Sequence, residues 1–150
     1  MSTDSPVISV HRHPIEEVLA QRIAIIDGAM GTTIRTYGMG EADIRGERFR
    51  DAPKDLLNNG DLFSLTQPAM IGDIHRRFLE AGADIIETNT FGATTISQSE
   101  FFVDDPREHG GRKDPAFYQR IIEDPFLQGL AWEINEQSAR QCREWADRVA

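Results

Sequence analysis

The run Ile23–Thr33 constrains the fold more than any other part of the sequence. Four apolar residues end at Asp27, and a turn that contains two glycines follows at once. A short apolar run bounded by turn residues predicts a buried strand, which would carry a carboxylate and free backbone N–H groups at its C-terminal end. A second run, Ile85–Gly92, repeats this layout. We therefore expect two strands that each end in polar, ligand-facing residues.

A helix is predicted between the two runs. Apolar residues recur at helical spacing over Pro68–Ala81, and Gly82 is placed to end that helix. The order strand, helix, strand is typical of a βαβ unit and of the α/β fold class, in which sites lie at the carboxyl ends of the strands. Glu41–Gly60 is expected to be a loop. The other predicted helices are Pro14–Gln21, Thr32–Tyr37, Thr94–Phe102, Pro115–Ile122 and a final helix with Asp124 as its N-cap.

Charge and cysteine content exclude several classes of function. The net charge is −9, which argues against binding to the phosphates of nucleic acids and to anionic membrane surfaces. The longest apolar stretch is shorter than the roughly 20 residues of a membrane-spanning helix, and residues 1–10 do not resemble a secretory signal. A single cysteine, Cys142, excludes an internal disulfide and fits a cytoplasmic protein.

The first candidate site is Asp27 with the turn residues Gly28, Ala29 and Met30. The Asp27 carboxylate can pair with an ammonium group, and the backbone N–H groups of the turn can bind a carboxylate. Together they would hold both charged ends of an amino acid. Alternatively, Asp27 caps the following helical turn, and the spacing favours neither hypothesis.

The second candidate site follows the second run and comprises Thr88, Asn89, Thr90, Phe91 and Gly92. Polar residues at a strand end are either ligand contacts or groups that cap a loop. Phe91 could form the wall of a pocket, but packing under the next helix is the more common outcome. This run alone is weak evidence for a site.

Neither a catalytic residue nor a metal ligand is predicted from the remaining residues. His75 adjoins the apolar face of the central predicted helix, and Cys142 falls at helical core spacing, so both are expected to be structural. His11 and His13 form a pair without a third ligand, which is weak evidence for a metal site. His109 lies in a hydrophilic segment and is expected to be solvated.

Three segments resemble the homocysteine-binding region of cobalamin-dependent methionine synthases, within the homocysteine S-methyltransferase family. They are Asp27–Thr32, Glu41–Phe49 and Glu80–Phe91. The resemblance implies a (β/α)₈ TIM barrel that binds L-homocysteine at its C-terminal face. It also implies a zinc ion held by three cysteines, methylcobalamin as the methyl donor, and methyltetrahydrofolate as the source of that methyl group. By position, Asp27 would contact the substrate ammonium group, while Gly28–Met30 and Thr88–Gly92 would line the pocket.

The chain also departs from this family pattern. Its single cysteine cannot supply the three zinc thiolates, and Cys142 lies on a helix outside the expected site. We therefore expect residues 1–150 to be the N-terminal part of a barrel, about two β/α units with an N-terminal helix, inactive without the downstream barrel and the folate and cobalamin modules. Residues 1–13 are expected to be flexible, and 103–125 to be an insertion. The alternative is a non-catalytic binding or assembly module that complements a separately encoded remainder of the barrel.

Overall fold

Helices form most of the protein. The computed structural model describes residues 12–150, so His11 and the rest of the predicted flexible terminus up to residue 11 lie outside the described residues. The α-helices of the described part are α1 (Pro14–Gln21), α2 (Met30–Arg35), α3 (Glu41–Arg45), α4 (Phe63–Thr66), α5 (Pro68–Glu80), α6 (Thr95–Phe102), α7 (Pro115–Glu123) and α8 (Pro125–Val149). Short 3₁₀ helices cover Gly60–Leu62 and Pro106–His109.

Local sequence signals explain where several of these helices begin and end. The side chains of Asp114 and Asp124 accept N–H bonds at the starts of α7 and α8, and a proline follows each of them. Gly82 follows α5 with a φ of 106°, a backbone conformation that glycine adopts without strain. His13 accepts the Ile15 N–H at 3.3 Å and begins α1. The predictions of these four helices are confirmed.

The two predicted strands are reduced to one parallel bridge between Ile26 and Ile85. The Asp27 N–H donates to Ile85 O at 2.9 Å, and the Ile85 N–H donates to Ile25 O at 3.2 Å. The prediction that the first run is buried is wrong, because Ile23 is 85% exposed and Ile26 is 54% exposed. A parallel pair is stabilised when neighbouring strands and layers cover it, and here it has no second strand on either side within residues 12–150. The predicted partial barrel is therefore not formed by the described residues.

Helices α5 and α8 pack against each other and form the centre of the core. Ile71 and Ile74 of α5 and Ile134 of α8 are fully buried. Gly72 allows the close approach of α8, because a Cβ at this position would overlap the indole nitrogen of Trp145. The same core cluster also includes Ile34, Ile44, Phe49, Leu56, Leu62, Phe63, Met70, Ala93 and Leu130.

One segment predicted to be a loop contains a helix instead, whereas the helix within the predicted insertion was expected from the sequence. Glu41–Gly60 contains α3, where Ile44 is fully buried, because the Glu41 carboxylate accepts bonds from both Arg45 and the Leu56 N–H and so folds the segment onto itself. The predicted insertion 103–125 contains α7, whose Phe117 and Ile121 form a second core cluster with Leu127. Whether 103–125 is an insertion remains a prediction. In residues 12–150 the structure contains no helix long and apolar enough to cross a membrane.

Candidate functional site

A cleft of about 1180 Å³ lies at the carboxyl ends of the two bridged segments. One side is formed by Ala29 and Met30 at the start of α2, and the opposite side by the predicted run Thr88–Gly92. The segment Asn58–Asp61 forms the floor between them. Both candidate runs from the sequence are thus brought to one cleft, which is large enough for a small-molecule ligand.

Asp27 lies behind this cleft and links the two segments. Its Oδ2 accepts the Glu87 N–H at 3.0 Å, while Oδ1 is buried and accepts no bond from any residue in the described part of the chain. Burial raises the pKa of Asp27, and the bond from the Glu87 N–H opposes this shift. Asp27 therefore ties one strand end to the other, and one carboxylate oxygen retains its capacity to accept a hydrogen bond.

The glycine turn after Asp27 is shaped partly by packing. A Cβ on Gly28 would lie 3.3 Å from the Phe78 ring of α5, so a larger residue would push the turn away from the helix layer. Of the four predicted residues Asp27–Met30, only Ala29 and Met30 belong to the described cleft lining. The alternative hypothesis of a helix cap is not observed, since no side chain caps α2 among residues 12–150.

The run Thr88–Gly92 forms the opposite wall of the cleft. Thr88 and Thr90 place their hydroxyl oxygens 2.7 Å apart, and Asn89 is buried. Phe91 is 104% exposed and lines the cleft, so the expectation that it packs under the next helix is wrong. Hydrophobic side chains this exposed on a cleft wall are available for ligand contact.

Asp61 is the site residue that sequence reasoning missed. It is 5% exposed, and its Oδ2 accepts the Gly92 N–H at 2.5 Å. Burial raises the pKa of Asp61, and hydrogen bonds from the Gly92 and Phe91 N–H groups oppose the shift. The only sequence signal at Asp61 is the polar run Asn58–Asp61. No local pattern in that run predicts a contact with Gly92.

His75 and Cys142 lie together beneath the strand ends. His75 is fully buried, which lowers its pKa, and its Nε2 is 3.6 Å from the Cys142 sulfur. The Cys142 thiol donates to Glu87 O at 3.4 Å, and burial together with the nearby Asp27 charge raises its pKa to about 11. The burial of His75 agrees with its predicted place beside the apolar face of α5, while the structural role of both residues stays a prediction.

Few side chains in residues 12–150 are arranged to bind a metal ion. In this described part of the chain, the one group of three closely spaced acidic or histidine side chains is Asp104, Glu108 and His109, all exposed and outside the cleft lining. His109 is exposed, and its Nε2 lies 3.1 Å from Asp104. The residues of the cleft therefore do not fit a zinc site of three thiolates.

The match to known families agrees with this arrangement. The model of the family described as homocysteine S-methyltransferase matches residues 24–150, which include both walls of the cleft and its floor. The family is a TIM barrel and transfers methyl groups to homocysteine. The resemblance inferred from the three sequence segments is confirmed at the level of the family. The chain belongs to the homocysteine S-methyltransferase family.

Proposed function

We propose that the chain provides the homocysteine-binding part of a cobalamin-dependent methionine synthase of the cytoplasm. In the complete reaction a methyl group passes from methylcobalamin to homocysteine and gives methionine, and methyltetrahydrofolate restores the methylated cobalamin. The observation that carries the proposal is the convergence of Met30 and Thr88–Gly92 on one cleft at the strand ends. Parts of both sequence motifs therefore line one cleft, which supports the proposal that they bind one ligand.

The residues of this chain would bind and orient the amino acid. The buried Oδ1 of Asp27 lacks a donor among residues 12–150, and a substrate ammonium group would supply one. Asp27 is 9% exposed and lies behind the cleft lining, so the ammonium group reaches it only if the adjoining turn shifts. Thr88, Thr90 and Phe91 line the cleft and would contact the rest of the substrate.

Activation of the substrate thiol requires groups from outside this chain. Zinc, when bound in the family, stabilises the homocysteine thiolate. This chain has one cysteine, and its Cys142 thiol stays protonated at neutral pH because its pKa is raised to about 11. We therefore propose that the chain alone binds homocysteine and does not transfer a methyl group to it.

Calorimetric titration with L-homocysteine tests this proposal. Binding to the unaltered chain is expected, and Asp27→Asn should weaken it by roughly 10- to 150-fold, the equivalent of about 1.5–3 kcal/mol for a charge-assisted bond. Asp114→Asn is the matched control, because Asp114 also accepts a backbone N–H, that of Phe117 at 2.8 Å, but lies outside the cleft.

Two results would contradict the proposal at different points. If the unaltered chain does not bind homocysteine, the binding function itself is wrong. If Asp27→Asn binds as well as the unaltered chain, the pocket stands, but the role of Asp27 is limited to joining the strand ends through Glu87.

A second candidate function is an assembly module that completes a separately encoded barrel. The observation that favours it is the exposure of Ile23, Ile25 and Ile26 on the first bridged segment. The bridge bonds are made by the residues on either side of Ile26, so the Ile26 N–H and C=O point away from Ile85 and are oriented to pair with another strand.

Co-expression with a separately encoded barrel remainder of the same family tests this second candidate. Methyl transfer to homocysteine should appear only in the complex. Ile26→Pro should abolish it, because proline removes the outward N–H while the bonds of Ile25 and Asp27 to the other segment remain possible. Ile26→Val is the control, and equal activity of the two variants would contradict strand pairing at this edge.

A further inference from the structure

The backbone of the cleft wall Thr88–Gly92 is held from beneath by a carboxylate that makes no ion pair among residues 12–150. Asp61 lies in the 3₁₀ helix Gly60–Leu62, and its Oδ2 accepts the Gly92 N–H at 2.5 Å. A Cβ on Gly92 would lie 3.3 Å from Asp61 Oδ2, so glycine allows the carboxylate to approach the backbone closely. Burying a carboxylate is costly, and the bond from the Gly92 N–H stabilises it.

Two further buried side chains hold the same wall. Gln98 donates to Gly92 O at 2.9 Å and exchanges two amide hydrogen bonds with Asn59, at 2.8 and 3.1 Å. Both polar groups of the Gly92 backbone are therefore fixed by side chains that are at most 5% exposed.

The other end of the wall is fixed independently. The Asn89 amide donates to Gly60 O at 2.9 Å and to Ser64 Oγ at 3.0 Å, and Ser138 of α8 donates to Asn89 O at 3.3 Å. Phe91 lies between these two anchored points, and its side chain is fully exposed. The buried polar groups therefore fix the backbone on both sides of Phe91.

We propose that Asp61 is a positioning residue, whose carboxylate holds the Phe91–Gly92 backbone so that Thr90 and Phe91 face the homocysteine cleft. The inference rests on the proposed homocysteine binding and adds a residue that acts through the cleft wall. Helices α4 and α5 and the second bridged segment lie between Asp61 and Gly92 in the sequence, so the bond also fixes the cleft floor to its wall.

The variants Asp61→Asn and Asp61→Ala test this role. Asparagine keeps the shape of the side chain and one acceptor oxygen, but it lacks the negative charge that strengthens the bond from the Gly92 N–H. Homocysteine affinity should fall about tenfold in Asp61→Asn, the equivalent of about 1.4 kcal/mol, and further in Asp61→Ala. Asp114→Asn is again the control, with affinity expected to remain unchanged.

Nuclear magnetic resonance measures the chemical shift of the Gly92 amide proton, which a general loss of stability does not change. The Gly92 amide proton should shift markedly between the unaltered protein and Asp61→Asn, and in the unaltered protein it should follow the titration of the Asp61 carboxyl group. Far-UV circular dichroism checks that each variant is folded. If Asp61→Ala fails to fold, Asp61→Asn and the titration of Gly92 in the unaltered protein decide the question.

The outcomes separate this inference from the proposed function. Homocysteine binding that is equal in Asp61→Asn and the unaltered chain overturns the positioning role while leaving the proposed function intact. If the Gly92 amide shift changes neither with the Asp61→Asn substitution nor with pH, the hydrogen bond from Gly92 to Asp61 is overturned. Absence of homocysteine binding by the unaltered chain overturns the proposed function, and with it the role of Asp61 in homocysteine binding.

Discussion

Replacing Gly72 with alanine tests the close contact between α5 and α8. Gly72 lies within α5, where alanine is favoured over glycine by about 1 kcal/mol in a helix interior. A Cβ at residue 72 would overlap the indole nitrogen of Trp145 and lie 3.0 Å from its Cε2, and overpacking of this kind costs about 1–3 kcal/mol. The two terms leave Gly72→Ala between neutral and about 2 kcal/mol less stable than the unaltered protein.

Gly129→Ala provides the matched control. Gly129 lies within α8, and a Cβ there would meet nothing within 4 Å, so only the helix term remains and the variant should gain about 1 kcal/mol. The gain in helix propensity is the same for both substitutions. The difference in the free energy of unfolding between the two variants therefore gives the cost of the overlap with Trp145. Urea unfolding followed by circular dichroism measures it as a shift in the midpoint at constant slope.

A double variant sharpens the test. In a Trp145→Ala background the overlap is absent, so Gly72→Ala should become as favourable as Gly129→Ala, with a coupling free energy of about 1–3 kcal/mol. Equal stabilisation by Gly72→Ala and Gly129→Ala in the presence of Trp145 would refute the close packing of α5 on α8. The same result would remove the basis for placing Cys142 and Ser138 of α8 beneath the strand ends.

Two titrations probe the carboxylates near the bridge. The rate at which the Cys142 thiol reacts with a disulfide reagent should depend on pH as for a group of pKa about 11. Asp27→Asn should lower that pKa and speed the reaction. A Cys142 pKa near 9.0 in the unaltered protein would contradict the burial of the thiol near Asp27. Asp84 should titrate by carbon-detected magnetic resonance at about 2, because the Arg22 side chain bonds its carboxylate. Its contribution to stability is then present above the ordinary pKa of 3.8 and is lost as the pH falls towards 2; Arg22→Gln should raise the Asp84 pKa, and an unchanged value would contradict the ion pair.

The helices could be predicted because their signals are local. Asp124 followed by a proline begins α8, and Gly82 ends α5, through contacts within a few residues of the chain. Helix α3 was missed because its single turn depends on Glu41, whose carboxylate reaches forward to the Leu56 N–H at 2.7 Å. A charged segment of this kind is predicted to be a loop, because the sequence does not reveal the hydrogen bond between the Leu56 N–H and the Glu41 carboxylate.

The candidate site was only partly predictable for the same physical reason. Residues Thr88–Gly92 could be predicted as site residues because they directly follow an apolar run. In the structure they line the cleft. The Asp61 bond to Gly92 joins distant parts of the sequence, and no periodicity or turn signal encodes it. The strands were expected to be buried because apolar runs usually are, but burial depends on neighbouring strands, which local sequence does not reveal.

Carboxylates at both ends reinforce the single parallel bridge that sets the register of the two segments. At one end Asp84 accepts the Ile25 N–H at 2.9 Å and holds Arg22, and at the cleft end Asp27 accepts the Glu87 N–H at 3.0 Å. The two groups respond oppositely to their surroundings, since Arg22 lowers the pKa of Asp84 to about 2 while burial raises that of Asp27. Asp27 is therefore protonated first as the pH falls, and its charge-assisted bond to Glu87 weakens while the Asp84 end is still intact. Acid should loosen the cleft end of the pair before the opposite end, so that ligand binding at the cleft is lost at a higher pH than the pairing of the segments.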